Sequence, residues 1–230
     1  MKLQLDKESF LKFFNINDID IKEKSFLCAV SGGVDSMVLY DLMIKCNLNL
    51  SVASCNYKSR KESDNEIEMI KSICAENKIN FHSEIFRIDK QSTGKSFQML
   101  AREKRYEWFK SLTNEFSYDY LVTAHHADDN IETILLNFSR TTGFKGLLGI
   151  PESKNQILRP MLSFEKDIII NYAKKNKIPF ILFVSTEPIG KRGYMTWEQI
   201  KEVEKEEFFD YAIKMINRHD ELFLKLYAEV

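Results

Sequence analysis

Short apolar runs alternate along this chain with longer segments whose apolar residues recur at helical spacing. Four runs predict β-strands, at residues 26–30, 50–54, 81–88 and 118–124. The segments between and after them predict α-helices, one from residue 35 onward and others at residues 62–77, 96–116 and 128–138. Strands that alternate with helices of this length are typical of βαβ units. The pattern therefore predicts an α/β fold, a doubly wound parallel sheet with helices on both faces.

Three polar segments follow predicted strands at the point where each strand ends. They are Ser31–Ser36, Cys55–Arg60 and His125–Asp129. In an open parallel sheet, ligands bind at the carboxyl ends of the strands. We therefore expect the three segments to share one site, and this expectation depends on no likeness to a known protein.

The apolar pattern changes beyond Pro179. Residues 180–184 form a last apolar run, residues 185–193 predict a loop, and the residues from 196 onward carry an apolar stripe at helical spacing. We predict two parts, a domain at residues 1–185 and a short helical C-terminal extension at residues 186–230. The stripe of the extension would either cap the core or form the interface of a homodimer.

Composition and charge exclude several classes of protein. The 33 basic and 34 acidic residues nearly cancel, so net charge draws the chain toward neither nucleic acid nor a membrane surface. No apolar run approaches the roughly 18–20 residues that a membrane span needs. The four cysteines form no CxxC pair and no zinc-ligand spacing with the histidines. We therefore expect an ordinary globular protein of the reducing cytoplasm, with no membrane partner.

The first polar segment, from Ser31 to Ser36, reads Ser-Gly-Gly-Val-Asp-Ser. Two adjacent glycines let the backbone approach a phosphate closely, and the amides at the start of a helix point at the anion. The serine hydroxyls add hydrogen bonds, and the carboxylate of Asp35 suits Mg²⁺. A tight turn capped by Ser and Asp is the structural alternative. The complete segment after an apolar strand favours phosphate binding, and no Gly-Lys-Ser/Thr follows that would make it a Walker loop.

The third polar segment concentrates ionisable side chains at the start of a predicted helix. Asp128 and Asp129 can hold Mg²⁺ or position an amine, and His126 can move a proton. The alternative is that the two carboxylates only stabilise the helix N-terminus. Two histidines and two aspartates in five residues exceed what a cap needs. Glu132 follows one turn later and is expected to face the same site.

Arginines cluster near these segments although the chain is rich in lysine. Arg102 and Arg105 lie on one face of the predicted 96–116 helix, where planar guanidinium groups suit phosphate or AMP. The alternative for both is a solvated helix surface. Arg60, Arg140 and Arg159 also fall in or beside the segments discussed here, and this bias supports recognition of an anion.

The Ser31–Ser36 segment resembles the PP-loop of the N-type ATP pyrophosphatases, whose fold is Rossmann-like (adenine nucleotide alpha hydrolase-like). Other blocks resemble the tRNA(Ile)-lysidine synthetases of that superfamily. In order, these are Cys55–Asp64 (HxNHxLR…ESD), Ser96–Tyr106 (A-R-x-x-R-Y), His125–Thr133 (HHxDDxxET), Thr142–Leu147 (T/S-G-x-x-G-L) and Leu158–Leu162 (RPLL). The resemblance implies a ligase that adenylates O2 of a cytidine in the tRNA(Ile) anticodon. Free lysine then displaces AMP through its ε-amine.

The resemblance also implies roles for individual residues. ATP would be bound by Ser31, Gly32, Gly33, Val34, Asp35, Ser36 and Arg102, with Asp35 serving Mg²⁺. Catalysis would involve Asp35, Arg102, His126 and Asp129. The remaining substrate contacts would come from Asn56, Arg60, Arg105, Asp128 and Glu132. ATP, tRNA(Ile) and lysine are the partners that follow.

Two departures from the family pattern keep other interpretations open. The HxNHxLR block, counted from the residue before Cys55, has Ser54 and Tyr57 where the family has histidines. Beyond residue 180 the family's R-N…I-R element is absent, and the residues from Lys191 onward carry a net charge of −2 rather than a basic surface for tRNA. The same adenylation could serve another small-molecule or protein acceptor. A nucleotide sensor without turnover is a third interpretation, which the intact SGGxDS and HHxDD blocks disfavour. A tRNA thiolase is disfavoured because a catalytic cysteine pair is not evident.

Overall fold

A computed structural model describes residues 4–58, 63–88, 96–139 and 148–181. The helices are α1 (Lys7–Ile16), α2 (Val34–Lys45), α3 (Ser63–Glu76), α4 (Phe97–Glu115), α5 (Ala127–Ser139) and α6 (Lys166–Lys175). The strands are β1 (Ser25–Ala29), β2 (Asn49–Asn56), β3 (Asn80–Ile85), β4 (Tyr120–Val122), β5 (Ser153–Lys154) and β6 (Ile157–Leu158). The predicted C-terminal extension lies outside the described residues, so the boundary at 185/186 stays a prediction.

The strands form one six-stranded sheet in the order β3-β2-β1-β4-β6-β5. All neighbouring pairs are parallel except β5 with β6, which closes the edge as an antiparallel hairpin. The chain runs outward from β1 through β2 to β3 and then returns to place β4 on the other side of β1. The crevice at the carboxyl ends of β1 and β4 is therefore the switch point where such sheets bind ligands.

Alternating residues of the central strands pack into two apolar layers. Phe26 and Cys28 of β1 face a large core to which α1, α2, α3 and α6 contribute. Leu27 of β1 and Ala53 of β2 face the opposite side, where Phe109 of α4 covers them. Because both sheet faces are covered, β1 and β2 are buried along most of their length. The predicted doubly wound sheet is confirmed.

Polar contacts fix the start of β1 against the start of β4. The carboxylate of Asp119 accepts hydrogen bonds from the Ser25 backbone N–H and the Ser25 hydroxyl, both at 2.9 Å, and pairs with Lys24 at 2.9 Å. These contacts hold the two strands in register below the crevice. In the part of the chain that the structure describes, no helix has the length and apolar character to span a membrane.

Candidate functional site

The loop from Ser31 to Ser36 turns directly from the end of β1 into α2. Gly32 adopts a left-handed conformation with φ of 85°, and Gly33 is the extended N-cap residue of α2. The Ser36 hydroxyl accepts a hydrogen bond from the Ser31 backbone N–H at 3.1 Å and donates to the Gly33 carbonyl at 2.9 Å. No side chain at the N-cap occupies the first amides of α2. The loop therefore presents an ordered helix N-terminus that suits an anion.

The loop after β4 and the first turn of α5 form the second wall of the site. His126 is only 7% exposed, and its backbone N–H donates to Asp129 Oδ2 at 3.0 Å. Its Nε2 lies 3.6 Å from Asp129 Oδ2 and 3.9 Å from Asp35 Oδ1, while its Nδ1 lies 3.5 Å from Asp128 Oδ2. The imidazole of His126 therefore sits among three carboxylates contributed by α2 and α5.

His125 lies beside this cluster but in a different electrostatic environment. Its Nδ1 is 2.9 Å from the Thr123 hydroxyl, and its side chain lines the cleft. Burial, together with the positive charge of Arg159, lowers the pKa of His125 to about 4. The His125 ring is therefore neutral at physiological pH and acts there as a hydrogen-bonding group rather than a cation.

A cleft of about 390 Å³ opens between the two walls. Its polar lining includes Ser31, Asp35, Ser36, His125 and Asp129. Its apolar lining includes Ala29, Ala53, Phe109, Tyr57 and Tyr106. A cavity of this size, with an apolar wall and a few convergent polar groups, is typical of a small-molecule or cofactor site. This mixed lining suits a ligand that carries both a flat ring and negative charge.

Basic side chains lie near the aromatic wall of the cleft. Arg105 of α4 is half-buried and lines the cleft, whereas Arg102 is exposed. Their guanidinium carbons lie 5.8 and 5.0 Å from the centre of the Tyr106 ring. Arg159 is buried, donates to the Pro151 carbonyl at 2.7 Å, and has its pKa lowered by burial. The three arginines together supply positive charge next to the cleft.

Asp35 is paired with a residue that sequence reasoning missed. The ammonium of Lys166, the first residue of α6, donates to both carboxylate oxygens of Asp35, at 2.5 and 2.6 Å. The backbone N–H of Lys166 donates to Asp128 Oδ2 at 2.8 Å, and this bond is the main cause that lowers the pKa of Asp128. No local pattern marked Lys166, because its partner Asp35 lies 131 positions away in the chain.

The other residues that sequence reasoning selected fall in different places. Asn56 is buried, donates to Asp64 at 2.7 Å and accepts from the Lys58 backbone at 2.8 Å, so its side chain shapes the turn after β2. Glu132 lines a separate apolar depression on α5, with Asp128 at one end. Arg60 and the Thr142–Leu147 block lie outside the described residues.

His125, Tyr57 and Cys55 line the cleft and lie within the recognised blocks, but sequence reasoning did not select them as site residues. His125 is the first histidine of the HHxDD block, and Tyr57 follows Asn56 directly. Cys55 is the third, and burial raises its pKa to about 12. Cys55 is therefore a thiol rather than a reactive thiolate at neutral pH.

Asp35 is the residue next to the phosphate-binding loop whose chemistry fits Mg²⁺. The Asp35 carboxylate is a hard oxygen ligand beside a loop that suits phosphate, and Mg²⁺ is commonly held by one or two carboxylates together with substrate phosphates. Among the described residues, no group of three or more His, Cys, Asp or Glu side chains could hold a metal ion by itself. The arrangement fits a metal that arrives with phosphates rather than a permanently enclosed ion.

Comparison with known proteins agrees with this architecture. Residues 4–185 match the family model described as PP-loop domain. A tRNA(Ile)-lysidine synthase of Porphyromonas gingivalis strain W83 is 35% identical over 188 residues, covering 80% of this chain and 41% of that protein. One from Chlorobaculum tepidum is 35% identical over 179 residues, covering 75% of this chain and 54% of that protein.

A solved structure shares the fold at much lower identity. The U34-tRNA thiolase NcsA from Methanococcus maripaludis, with its [4Fe-4S] cluster, superposes with a TM-score of 0.65 at 15% identity, covering 78% of this chain and 66% of that chain. This likeness concerns the fold alone. The chain spans about half the length, or less, of the two curated relatives described above.

Proposed function

Because this chain belongs to the PP-loop domain family, we propose that its cleft binds ATP and that the protein acts as a tRNA(Ile)-lysidine synthetase. Cytidine O2 attacks the α-phosphorus of ATP, the bond to the β-phosphate breaks, and pyrophosphate leaves. The ε-amine of lysine then attacks C2 of the cytidine, AMP leaves with the C–O bonding electrons, and the amine loses a proton. The observation that carries this proposal is the convergence of the Ser31–Ser36 loop and the His125–Asp129 segment in one cleft.

The polar and the apolar lining of the cleft suit the two parts of ATP. The triphosphate would lie against Ser31–Ser36, where amides of the α2 N-terminus and the two serine hydroxyls donate to its oxygens. The adenine ring would lie on the apolar wall between Ala29, Ala53 and Phe109, which excludes water from the ring faces. Tyr57 and Tyr106 would flank the ring or the ribose.

Asp35 is the residue that would hold Mg²⁺, since its carboxylate lies in the first turn of α2 next to the phosphate-binding loop. When bound, Mg²⁺ neutralises phosphate charge and makes pyrophosphate a better leaving group.

Positive side chains would favour adenylation by countering the charge that develops on the phosphate. Arg105 already lines the cleft, and Arg102 on the same face of α4 can turn its guanidinium toward it. His126 is held by Asp129 through its backbone N–H and by three surrounding carboxylates. From this position its ring can donate a hydrogen bond to a substrate oxygen or take a proton from the amine.

The acidic first turn of α5 would receive lysine. Lys166 and His126 lower the pKa of Asp128, which keeps its carboxylate ionised at neutral pH. Asp128 also joins Glu132 in the α5 depression, whose apolar residues Ile131 and Leu135 suit a lysine stem. Asp129 faces the cleft and would orient the ε-amine toward the activated cytidine.

The proposal is tested by the products that ATP yields. The purified protein is incubated with Mg²⁺ and ATP radiolabelled at the α-phosphate, with lysine alone, with bulk bacterial tRNA alone, and with both. We expect AMP rather than ADP, together with entry of labelled lysine into the RNA only when both substrates are present. Asp35→Asn should abolish AMP formation. Asp167→Asn, on an exposed carboxylate in the first turn of α6, is the matched control and should leave it intact.

Three other results would refute or change the proposed function. Production of ADP would refute cleavage between the α- and β-phosphates. AMP production that does not depend on tRNA would support the cleavage of ATP to AMP but would indicate an acceptor other than tRNA. The divergent sequence beyond residue 180 leaves this alternative open. Equal AMP formation by Asp35→Asn and the wild type would refute the site assignment.

A further inference from the structure

Lys166 connects the two helices whose N-termini form the site. Its ammonium contacts Asp35 of α2, and its backbone N–H contacts Asp128 of α5. The neighbouring chain is tied to α5 as well, since the Ala127 N–H donates to the Phe164 carbonyl at 2.9 Å. Lys166 is therefore anchored beside both walls of the cleft through its main chain.

The anchoring extends through helix α6. Ile169 and Ala173 of α6 are fully buried in the main core against α2. The position of the Lys166 backbone is therefore set by core packing, while its side chain remains one third exposed. A lysine side chain on such a fixed base can move its charge over several ångströms without any change in the fold.

The pair with Asp35 conflicts with the role that Asp35 has in the proposed function. The Lys166 ammonium occupies both carboxylate oxygens, whereas Mg²⁺ requires at least one of them at about 2.1 Å. Two cations that share one carboxylate also repel each other. Repulsion from an incoming Mg²⁺ therefore favours movement of the ammonium away from Asp35, and the phosphate oxygens of the ligand are the new anions that it can contact.

We infer that Lys166 is a phosphate-binding residue of the nucleotide site, which neutralises Asp35 in the nucleotide-free protein and contacts the pyrophosphate moiety when Mg–ATP binds. This inference rests on the proposed function and extends it to a residue outside the recognised nucleotide motif. Lysine binds phosphate as a point charge, so its contribution depends on the charge and less on geometry.

Binding measurements test the inference without turnover. Affinities for Mg–ATP, Mg–pyrophosphate and AMP are measured by titration calorimetry for the wild type, Lys166→Met, Lys166→Gln and Lys166→Arg. We expect both neutral variants to bind Mg–ATP and Mg–pyrophosphate about tenfold or more weakly, with AMP affinity within about twofold of the wild type. Lys166→Arg should retain most of the affinity. Lys175→Met, at the exposed far end of α6, is the control and should match the wild type.

A second experiment measures the affinity for the metal without a nucleotide. Mn²⁺ binding to the nucleotide-free protein is measured by electron paramagnetic resonance, and the neutral variants should bind Mn²⁺ more tightly because Asp35 no longer pairs with the Lys166 ammonium. The inference is overturned by unchanged pyrophosphate affinity in both neutral variants. Equal losses for pyrophosphate and AMP would also overturn it, since they indicate a structural role. Failure of the wild type to bind ATP would instead refute the proposed function.

Discussion

Gly32 offers the most direct test of how the phosphate loop is built. Its φ of 85° lies in the region that side chains disfavour, and its carbonyl accepts a hydrogen bond from the Ile181 backbone at 2.8 Å. A Cβ at this position would lie 2.5 Å from Ile181 Cδ1. Gly32→Ala therefore introduces both backbone strain and a steric overlap.

The two costs can be assigned separate magnitudes. A left-handed conformation costs an alanine about 1–2 kcal/mol relative to glycine. The overlap involves the end of a side chain that can shift, so it adds about 1 kcal/mol, the low end of overpacking penalties. Gly32→Ala should lower the free energy of unfolding by about 2–3 kcal/mol and should also weaken ATP binding, because relief of the strain displaces the loop amides.

Urea unfolding followed by circular dichroism measures this loss, and Ile181→Val separates its two parts. Valine lacks the Cδ1 atom that an alanine at position 32 would meet. In the Ile181→Val background, Gly32→Ala should cost only the backbone term, about 1–2 kcal/mol. Wild-type stability of Gly32→Ala would refute the left-handed conformation. Complete rescue by Ile181→Val would show that only the overlap matters and would refute the strain.

Further substitutions test other contacts. The folded-state pKa of His125 is about 4, against an ordinary value of 6.5. The unfolded chain therefore binds a proton at a higher pH than the folded chain, and the free energy of unfolding decreases by about 3 kcal/mol at most as the pH falls from 6.5 to 4. His125→Asn should remove most of this pH dependence in thermal melts. Asp119→Ala removes the Ser25 and Lys24 contacts and should cost about 1–2 kcal/mol in urea unfolding at pH 7. Because the Ser25 N–H lowers the pKa of Asp119, this cost should shrink as the pH falls through the acidic range, and a cost that does not change with pH would contradict the assignment. Ser36→Ala removes the hydrogen bonds that the Ser36 hydroxyl makes with the Ser31 N–H and the Gly33 carbonyl. ATP binding in calorimetry should become about tenfold weaker, and an unchanged ATP affinity would refute the role of Ser36 in the loop.

The fold could be predicted from the sequence because β1 and β2 are buried on both faces. Such strands appear as short continuous apolar runs, which the chain shows at both places. The prediction missed α1, α6 and the short β5–β6 hairpin. The hairpin strands have two residues each, too few to produce an alternating pattern. The apolar residues of α5 were detected by their spacing, yet none of them is buried in the described structure.

The sequence predicts a shared site at the strand ends because parallel strands end at one edge of a sheet. The structure brings Ser31–Ser36 and His125–Asp129 into one cleft at that edge. The partners of individual side chains could not be predicted in the same way. Lys166 meets Asp35 only because α6 packs on α2, a long-range contact that leaves no local pattern. Asn56 has the residue type of a ligand contact, but its hydrogen bonds are made within the turn after β2.

If ATP occupies the cleft above β1 and β4, a structure with a bound nucleotide analogue shows it directly. The protein is crystallised with Mg²⁺ and α,β-methylene ATP, which cannot be cleaved between the α- and β-phosphates. We predict phosphate oxygens on the amides of the Ser31–Ser36 loop, the adenine ring against Ala29, Ala53 and Phe109, and the metal on Asp35. A nucleotide bound elsewhere, with the Ser31–Ser36 loop free of phosphate, would show that this cleft is not the ATP site.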